Sequence, residues 1–311
     1  MKKSKDQKQN LIAEFKADLK IRNKSSYTVT LYPHYVRAFE RWFVGGDLLD
    51  VDEKTLIRYL EHLQERQLNQ TSILRYFSGL SSYYEFLIWS GYVTKNPVKT
   101  VQKRYLSEYK PHDASQRRQC ISIDQAKKLV GIILDSKERA IVVLLLKTGM
   151  RRHELAELDI KSIDMENMTI HIKPTAKRSN EIVYFDAETK FVLQKWLKQR
   201  EKDNKNKIDA LFINRFGNRL SLMAINRIVE KHAIAAGLHD PSSKDLQDRF
   251  SCHSCRHYFT DTLVNTKKMP REMIKELRGD RRREAIDLYT HILPAELKKS
   301  YMECVPQLDL L

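Results

Sequence analysis

Several things are scarce in these 311 residues, and each scarcity removes a class of protein. The longest apolar run, 140–146, is far too short to span a bilayer, so no membrane partner is expected. No apolar stretch follows the lysines of residues 1–10, which argues against a secretory leader. Cysteine occurs four times, too few for a disulfide framework in a chain of this length, and the expected compartment is a reducing cytoplasm. Glycine and proline number nine and eight. Where they fall they punctuate: Gly45-Gly46, Gly91, Asn96-Pro97 and Gly149 each close a periodic segment.

Basic charge, in contrast, is abundant. Lys plus Arg is 56 against 40 acids, a formal net charge of +16. The excess is not a tail: residues 1–117 carry 20 basic and 13 acidic side chains, leaving +9 for the remainder. Two basic halves fit two domains that each touch a polyanion, with counterion release driving the contact. The plainer reading is a lysine-rich surface that serves solubility. The chain is long enough for two cores, and 41% hydrophobic residues support folded domains.

Periodicity predicts a helical first domain over 11–98, after a flexible basic arm at 1–10. Leu11, Phe15 and Leu19 recur at spacing four, and a helix over 28–44 carries Tyr32, Tyr35, Val36, Phe39 and Phe43 on one stripe. Asp52 reads as the N-cap of a third helix, and a fourth runs over 69–90. Residues 99–118 have little apolar periodicity and hold Lys103, Arg104, Lys110, Arg117 and Arg118, a basic linker that either straps a DNA backbone or hinges in solvent. A second domain over 119–311 opens with a capping-box signature at Ser122-Ile123-Asp124-Gln125. Helices are expected over 122–134, 137–148, 151–157, 187–202, 221–236, 253–266, 270–278, 284–291 and 294–302, with strands at 168–172 and 181–185 forming a hairpin. The expected fold class is mainly α with a small β-hairpin or sheet in the C-terminal domain.

Four phrases carry chemistry. They are Thr148-Gly149-Met150-Arg151-Arg152-His153-Glu154-Leu155, then His253-Ser254-Cys255-Arg256-His257, then Gly279-Asp280, then Tyr289-Thr290-His291. Splitting a phosphodiester needs a nucleophile, positive charge on the non-bridging oxygens, and a proton for the leaving 5′ oxygen. Tyrosine supplies the first, although its ordinary pKa of about 10 requires cations nearby or loss of the proton during attack. The guanidinium fork suits the second, and histidine or lysine the third.

In order and spacing these phrases resemble the tyrosine recombinase (phage integrase) family over 118–311, and the helical bundle before them is similar to that family's SAM-like core-binding domain. The resemblance implies a two-domain clamp on double-stranded DNA. Four protomers on two sites would exchange strands in pairs through a 3′-phosphotyrosyl intermediate and a Holliday junction, without metal, nucleotide or other cofactor. Tyr289 would attack, Arg151 and Arg256 would clamp the phosphate, and His253 would assist binding and proton transfer. Glu154 would orient the pocket, and Lys177 on the hairpin would be the general acid, with Lys173 as the alternative. Accessory DNA-bending proteins are possible partners. A type IB topoisomerase, and a DNA-binding regulator that keeps only the fold, stay open beside it.

Asp280 departs from the family, which commonly has histidine or tryptophan there. An ionised carboxylate accepts hydrogen bonds but cannot donate one to phosphate. Either Asp280 N-caps the helix that bears Tyr289, or it holds a neighbour such as an arginine. The Gly-Asp pair resembles a variant of archaeal integrases. The run Arg281-Arg282-Arg283 reads as a solvated face or a phosphate contact. Cys252-His253-Ser254-Cys255-Arg256-His257 raises zinc or redox chemistry, but consecutive helical positions cannot all face one metal and no second Cys pair lies at ligand spacing. The apolar stripe of the tail 294–311 caps its own domain or packs on a neighbouring protomer.

Overall fold

The computed structural model describes residues 5–106, 119–174, 180–243, 245–280 and 292–311, with side chains from Leu11 onward. The chain divides into two compact units, Met1–His112 and Asp113–Leu311.

The first unit is helical: α1 (Lys5–Ile21), α2 (Ser26–Trp42), α3 (Glu53–Glu65), α4 (Gln70–Trp89) and the short α5 (Pro97–Val101). Side chains start these helices by accepting from backbone N–H groups that lack an intrahelical partner: Ser25 from Thr28, Asp52 from Thr55, Asn69 from Ser72, Asn96 from Val98. The inward faces meet in one core that includes Phe15, Phe39, Tyr59, Phe77 and Leu80. Aromatic rings pack there edge-on, as with Phe39 against Tyr59 at 4.8 Å, tilted, as with Trp42 against Tyr59 at 4.9 Å, and stacked, as with Phe39 against Phe43 at 5.7 Å.

Two segments differ from the reading of the sequence. Helix α1 already begins at Lys5, inside the span read as an arm. The chain also stays helical through α5 and a π-helical turn at Gln102–Leu106, where 99–106 read as linker. Val98, Val101 and Leu106 are buried there while the intervening lysines and arginine face solvent, so a few apolar residues anchor a segment that composition marks as loop.

The second unit forms around α7 (Ser136–Thr148), in which 140–148 are all buried. A helix apolar on every side can sit only in the middle of a core. Around it lie α6 (Ile123–Gly131), α8 (Arg152–Ala156), α9 (Ala187–Asp203), α10 (Leu222–Ala235), α11 (Cys252–Asp261) with a π-helical turn at Thr262–Thr266, α12 (Arg271–Arg278) and α13 (Pro294–Cys304). The sheet has three antiparallel strands rather than two, in order β1 (Ile163–Asp164), β2 (Thr169–His171), β3 (Ile182–Tyr184), with Ile170 opposite Val183. The Ser122 capping box is present: Gln125 N–H donates to Ser122 Oγ and Ser122 N–H to Gln125 Oε1.

At the centre of this unit Lys147, wholly buried, donates to Asp186 (2.5 Å) and to Glu188. Glu188 in turn accepts the backbone N–H groups of Leu308 (2.8 Å) and Leu310 (2.9 Å), and Tyr301 donates to the Lys147 carbonyl (3.0 Å). The tail therefore packs on its own unit, with Leu308 and Leu310 in the main core. Among the described residues no helix is long and apolar enough to cross a membrane.

Candidate active site

Helix α7 stops at Gly149, whose φ of 61° is left-handed. A β-carbon there would come within 2.4 Å of the Phe259 ring, so glycine is required on two counts. The turn places Arg151 at the N-cap of α8 in extended conformation. Three residues on, Glu154 is 2% exposed and folds back on it. The Arg151 N–H donates to Glu154 Oε2 (2.6 Å) and Arg151 Nη1 to Glu154 Oε1 (3.1 Å). One carboxylate thus fixes both the main chain and the guanidinium of Arg151, and the arginine offsets the charge of a buried acid.

Arg256 comes from the middle of α11 and is 4% exposed. Its Nη1 donates to the Gly149 carbonyl (2.5 Å), and its Nη2 donates to the Arg278 carbonyl (3.1 Å) and to Asp280 Oδ1 (2.8 Å). Burial first, and then the charges of Arg151 and Arg278, push its pKa down to about 10, with Asp280 and Glu154 opposing. Arg256 is still cationic at neutral pH. Arg151 Nη2 reaches the same Asp280 Oδ1 (3.3 Å), and Arg278 Nε lies 3.0 Å from Asp280 Oδ2. Helix α12 ends at Gly279 in left-handed conformation, and the Asp280 N–H closes back onto the Lys275 carbonyl (3.0 Å). This turn aims the Asp280 side chain at the arginines.

Four of the residues singled out in the sequence, Arg151, Glu154, Arg256 and Asp280, therefore meet at one place. Asp280 holds arginines. The alternative, an N-cap on the following helix, concerns residues 281–291, which lie outside the described residues, as does the Arg281-Arg282-Arg283 run. Tyr289 and Lys177 also lie outside the described residues. Lys173 is described: its ammonium is 3.2 Å from Asp159 Oδ2 and 3.8 Å from Glu157 Oε2, and Asp159 is shared with Arg219. His253, one turn before Arg256 on α11, is exposed and stacks edge-on with His257 at 4.6 Å.

The Cys-x-x-Cys phrase divides by face. Cys252 and Cys255 are buried in the core and His253 and His257 point outward, so the four donors cannot converge. Burial pushes the Cys252 thiol up to about 12, far from the thiolate a metal or disulfide exchange needs.

Arg278 and the Gly149 carbonyl were not singled out in the sequence. Arg278 sits in the last turn of a helix directly before a Gly C-cap, which puts it beside whatever the next side chain binds. That adjacency was the available signal. Chemically, two guanidinium groups with Nη atoms on one carboxylate oxygen form a seat for an anion, the arrangement that bidentate recognition of phosphate uses.

The whole chain is similar to proteins already known. The phage integrase family profile matches residues 119–296, and the phage integrase N-terminal SAM-like domain matches 12–91. Among curated proteins, the tyrosine recombinase XerC of Pediococcus pentosaceus is 28% identical over 306 residues, covering 96% of this chain and 98% of that protein. The XerC of Haemophilus influenzae strain Rd is 25% identical over 291 residues, covering 92% and 93%. In fold the chain is similar to a lambda integrase dimer bound to a COC′ core site (TM-score 0.67, 16% identity, 92% and 97% covered). It is likewise similar to the Tn1549 transposon integrase in complex with transposon right end DNA (TM-score 0.66, 18% identity, 93% and 97% covered). With the catalytic-domain profile matched over more than half its length, the chain belongs to the phage integrase family.

Proposed function

We propose that this protein is a site-specific DNA recombinase that cuts and rejoins strands through a 3′-phosphotyrosyl link to Tyr289. The observation that carries the reading is the convergence of Arg151 and Arg256 on a single anionic oxygen in a member of this family. The names of the curated relatives favour recombination over topoisomerase-like relaxation or a purely regulatory role.

In this reading Arg151 and Arg256 hold the non-bridging oxygens of the scissile phosphate and stabilise the charge that grows in the pentavalent transition state. Removal of such a preorganised donor is worth on the order of 3 kcal/mol, a factor of ~100 or more. Glu154 positions Arg151 through the two contacts above. His253 assists phosphate binding and proton transfer from the same helix as Arg256. Lys177 is assigned as the general acid for the 5′ oxygen, supported by the engagement of Lys173 with two carboxylates. The phosphotyrosine keeps the energy of the broken phosphodiester, so rejoining requires no nucleotide. Double-stranded DNA is the partner, with protomers acting as a tetramer on two sites, and the working compartment is the cytoplasm. Both basic units would follow the DNA backbone, and binding should weaken steeply with salt.

The test is covalent trapping. Sheared DNA from the source genome, including the flanks of this gene, is incubated with protein in EDTA without nucleotide and quenched in SDS. Wild type is expected to leave DNA attached at Tyr289, and Tyr289→Phe to leave none while binding stays nearly intact. An adduct in the phenylalanine variant would overturn the nucleophile, and no adduct despite specific binding would overturn the recombinase reading.

A further inference from the structure

The carboxylate of Asp280 occupies the place between Arg151 and Arg256 where an anion belongs. One oxygen takes an Nη2 from each of those arginines, and the other lies 3.0 Å from Arg278 Nε. Carboxylate and phosphate present similar paired oxygens to guanidinium groups, so the two are alternatives for the same donors. The Nη2 of Arg256 already gives its two N–H groups to Asp280 and to the Arg278 carbonyl, so a phosphate oxygen at that nitrogen has to take the place of one of them.

From this we infer that Asp280 is an internal counter-anion that fills the phosphate seat and is displaced when a phosphate enters. The inference rests on the proposed function for the identity of the anion, a phosphate of DNA. The backbone at Asp280 is pinned by the Lys275 carbonyl, so rotation of the side chain alone vacates the seat. The side chains of Asp280 and Arg151 are 31% and 24% exposed, so the displaced carboxylate has water to turn into. Arg151, Arg256 and Arg278 against Glu154 and Asp280 sum formally to +1. Turning Asp280 away leaves the other four of these described groups at a formal +2. Histidine or tryptophan at this position would add a donor to the phosphate. Aspartate instead sets a threshold: a phosphate presented without the rest of a recognised site competes with a tethered anion and loses.

The test uses inorganic phosphate, so it reads the seat without strand cleavage and stands apart from the trapping experiment. Phosphate is titrated at constant ionic strength into full-length wild type and Asp280→Asn, following the arginine side-chain 15N resonances. Asp280→Asn is expected to lower the half-saturating phosphate by about fivefold or more, since a like charge has left the seat. Adding Arg151→Gln to that variant is expected to abolish the gain. In wild type the Asp280 carboxylate 13C resonance is expected to move together with the arginines, which keeps the idea testable if Asp280→Asn does not fold. Unchanged or weaker phosphate binding in Asp280→Asn would mean that Asp280 positions the arginines rather than competing with phosphate. That outcome would overturn the inference, as would a wild-type Asp280 signal that stays still while the arginines shift, or the absence of phosphate binding in both proteins.

Discussion

The two units of this protein bury different chemistry. Among described residues of the N-terminal unit the one buried polar side chain is Thr55, and the interior is aromatic and aliphatic. The C-terminal unit encloses Lys147, Glu154, Asp159, Asp186, Glu188, Arg200, His232 and Arg256. Apolar packing is non-directional and tolerates volume-conserving change. Buried ions stabilise only when every partner is in place, and their hydrogen bonds, unlike apolar contacts, are directional. The unit with the arginine site is the one built that way.

That contrast can be broken most sharply at Lys147. Lys147→Met leaves Asp186 and Glu188 buried without their cation and should destabilise the C-terminal unit by about 4 kcal/mol. Hydrogen exchange resolved by mass spectrometry should show the loss in that unit and none in the N-terminal helices. A core truncation in the other unit should act differently. Leu80→Ala, at a fully buried site, is expected to lower stability by about 3 kcal/mol in urea through lost contact and a cavity, with no charge effect and little salt dependence. Gly149→Ala is next, at about 2 kcal/mol, because alanine is strained at φ 61° and its β-carbon meets Phe259. Its effect on strand cleavage should exceed its effect on melting, since the displaced carbonyl is the one that holds Arg256. Ser122→Ala removes a cap and should lower stability by about 1 kcal/mol, read as a shift in the urea midpoint. At the bottom, Arg22→Ala breaks an exposed pair with Asp18 and should change stability by less than about 0.5 kcal/mol.

Much of the helical frame could be read from residue order because its signals are local. Asp52, Asn69 and Ser122 sit one residue before periodic runs, and the structure finds each capping the N–H three positions on. Helix α5 escaped because five residues are too few for a period and the lysines on its outer side dominate the composition. The two-residue strand β1 is shorter than any alternation. At the site, the Arg151–Glu154 pair lies within one helical turn and was visible as spacing. The environment of Asp280 was not. A local rule favours the cap after glycine, whereas the arginines that claim its carboxylate arrive from positions 129 and 24 residues earlier. The Lys147 cluster is hidden in the same way, its carboxylates lying 39 and 41 residues along the chain.

The hold of Glu188 on the tail bears on how the C-terminal unit assembles. The bonds from Leu308 and Leu310 close loops of 120 and 122 residues, and those two leucines complete the same core that contains α7. Closing so long a loop is entropically late, and contacts of large sequence separation slow folding. The helices can therefore gather before the Lys147 cluster has its last acceptor contacts, and the slowest step in folding this unit is expected to be the docking of its final few residues.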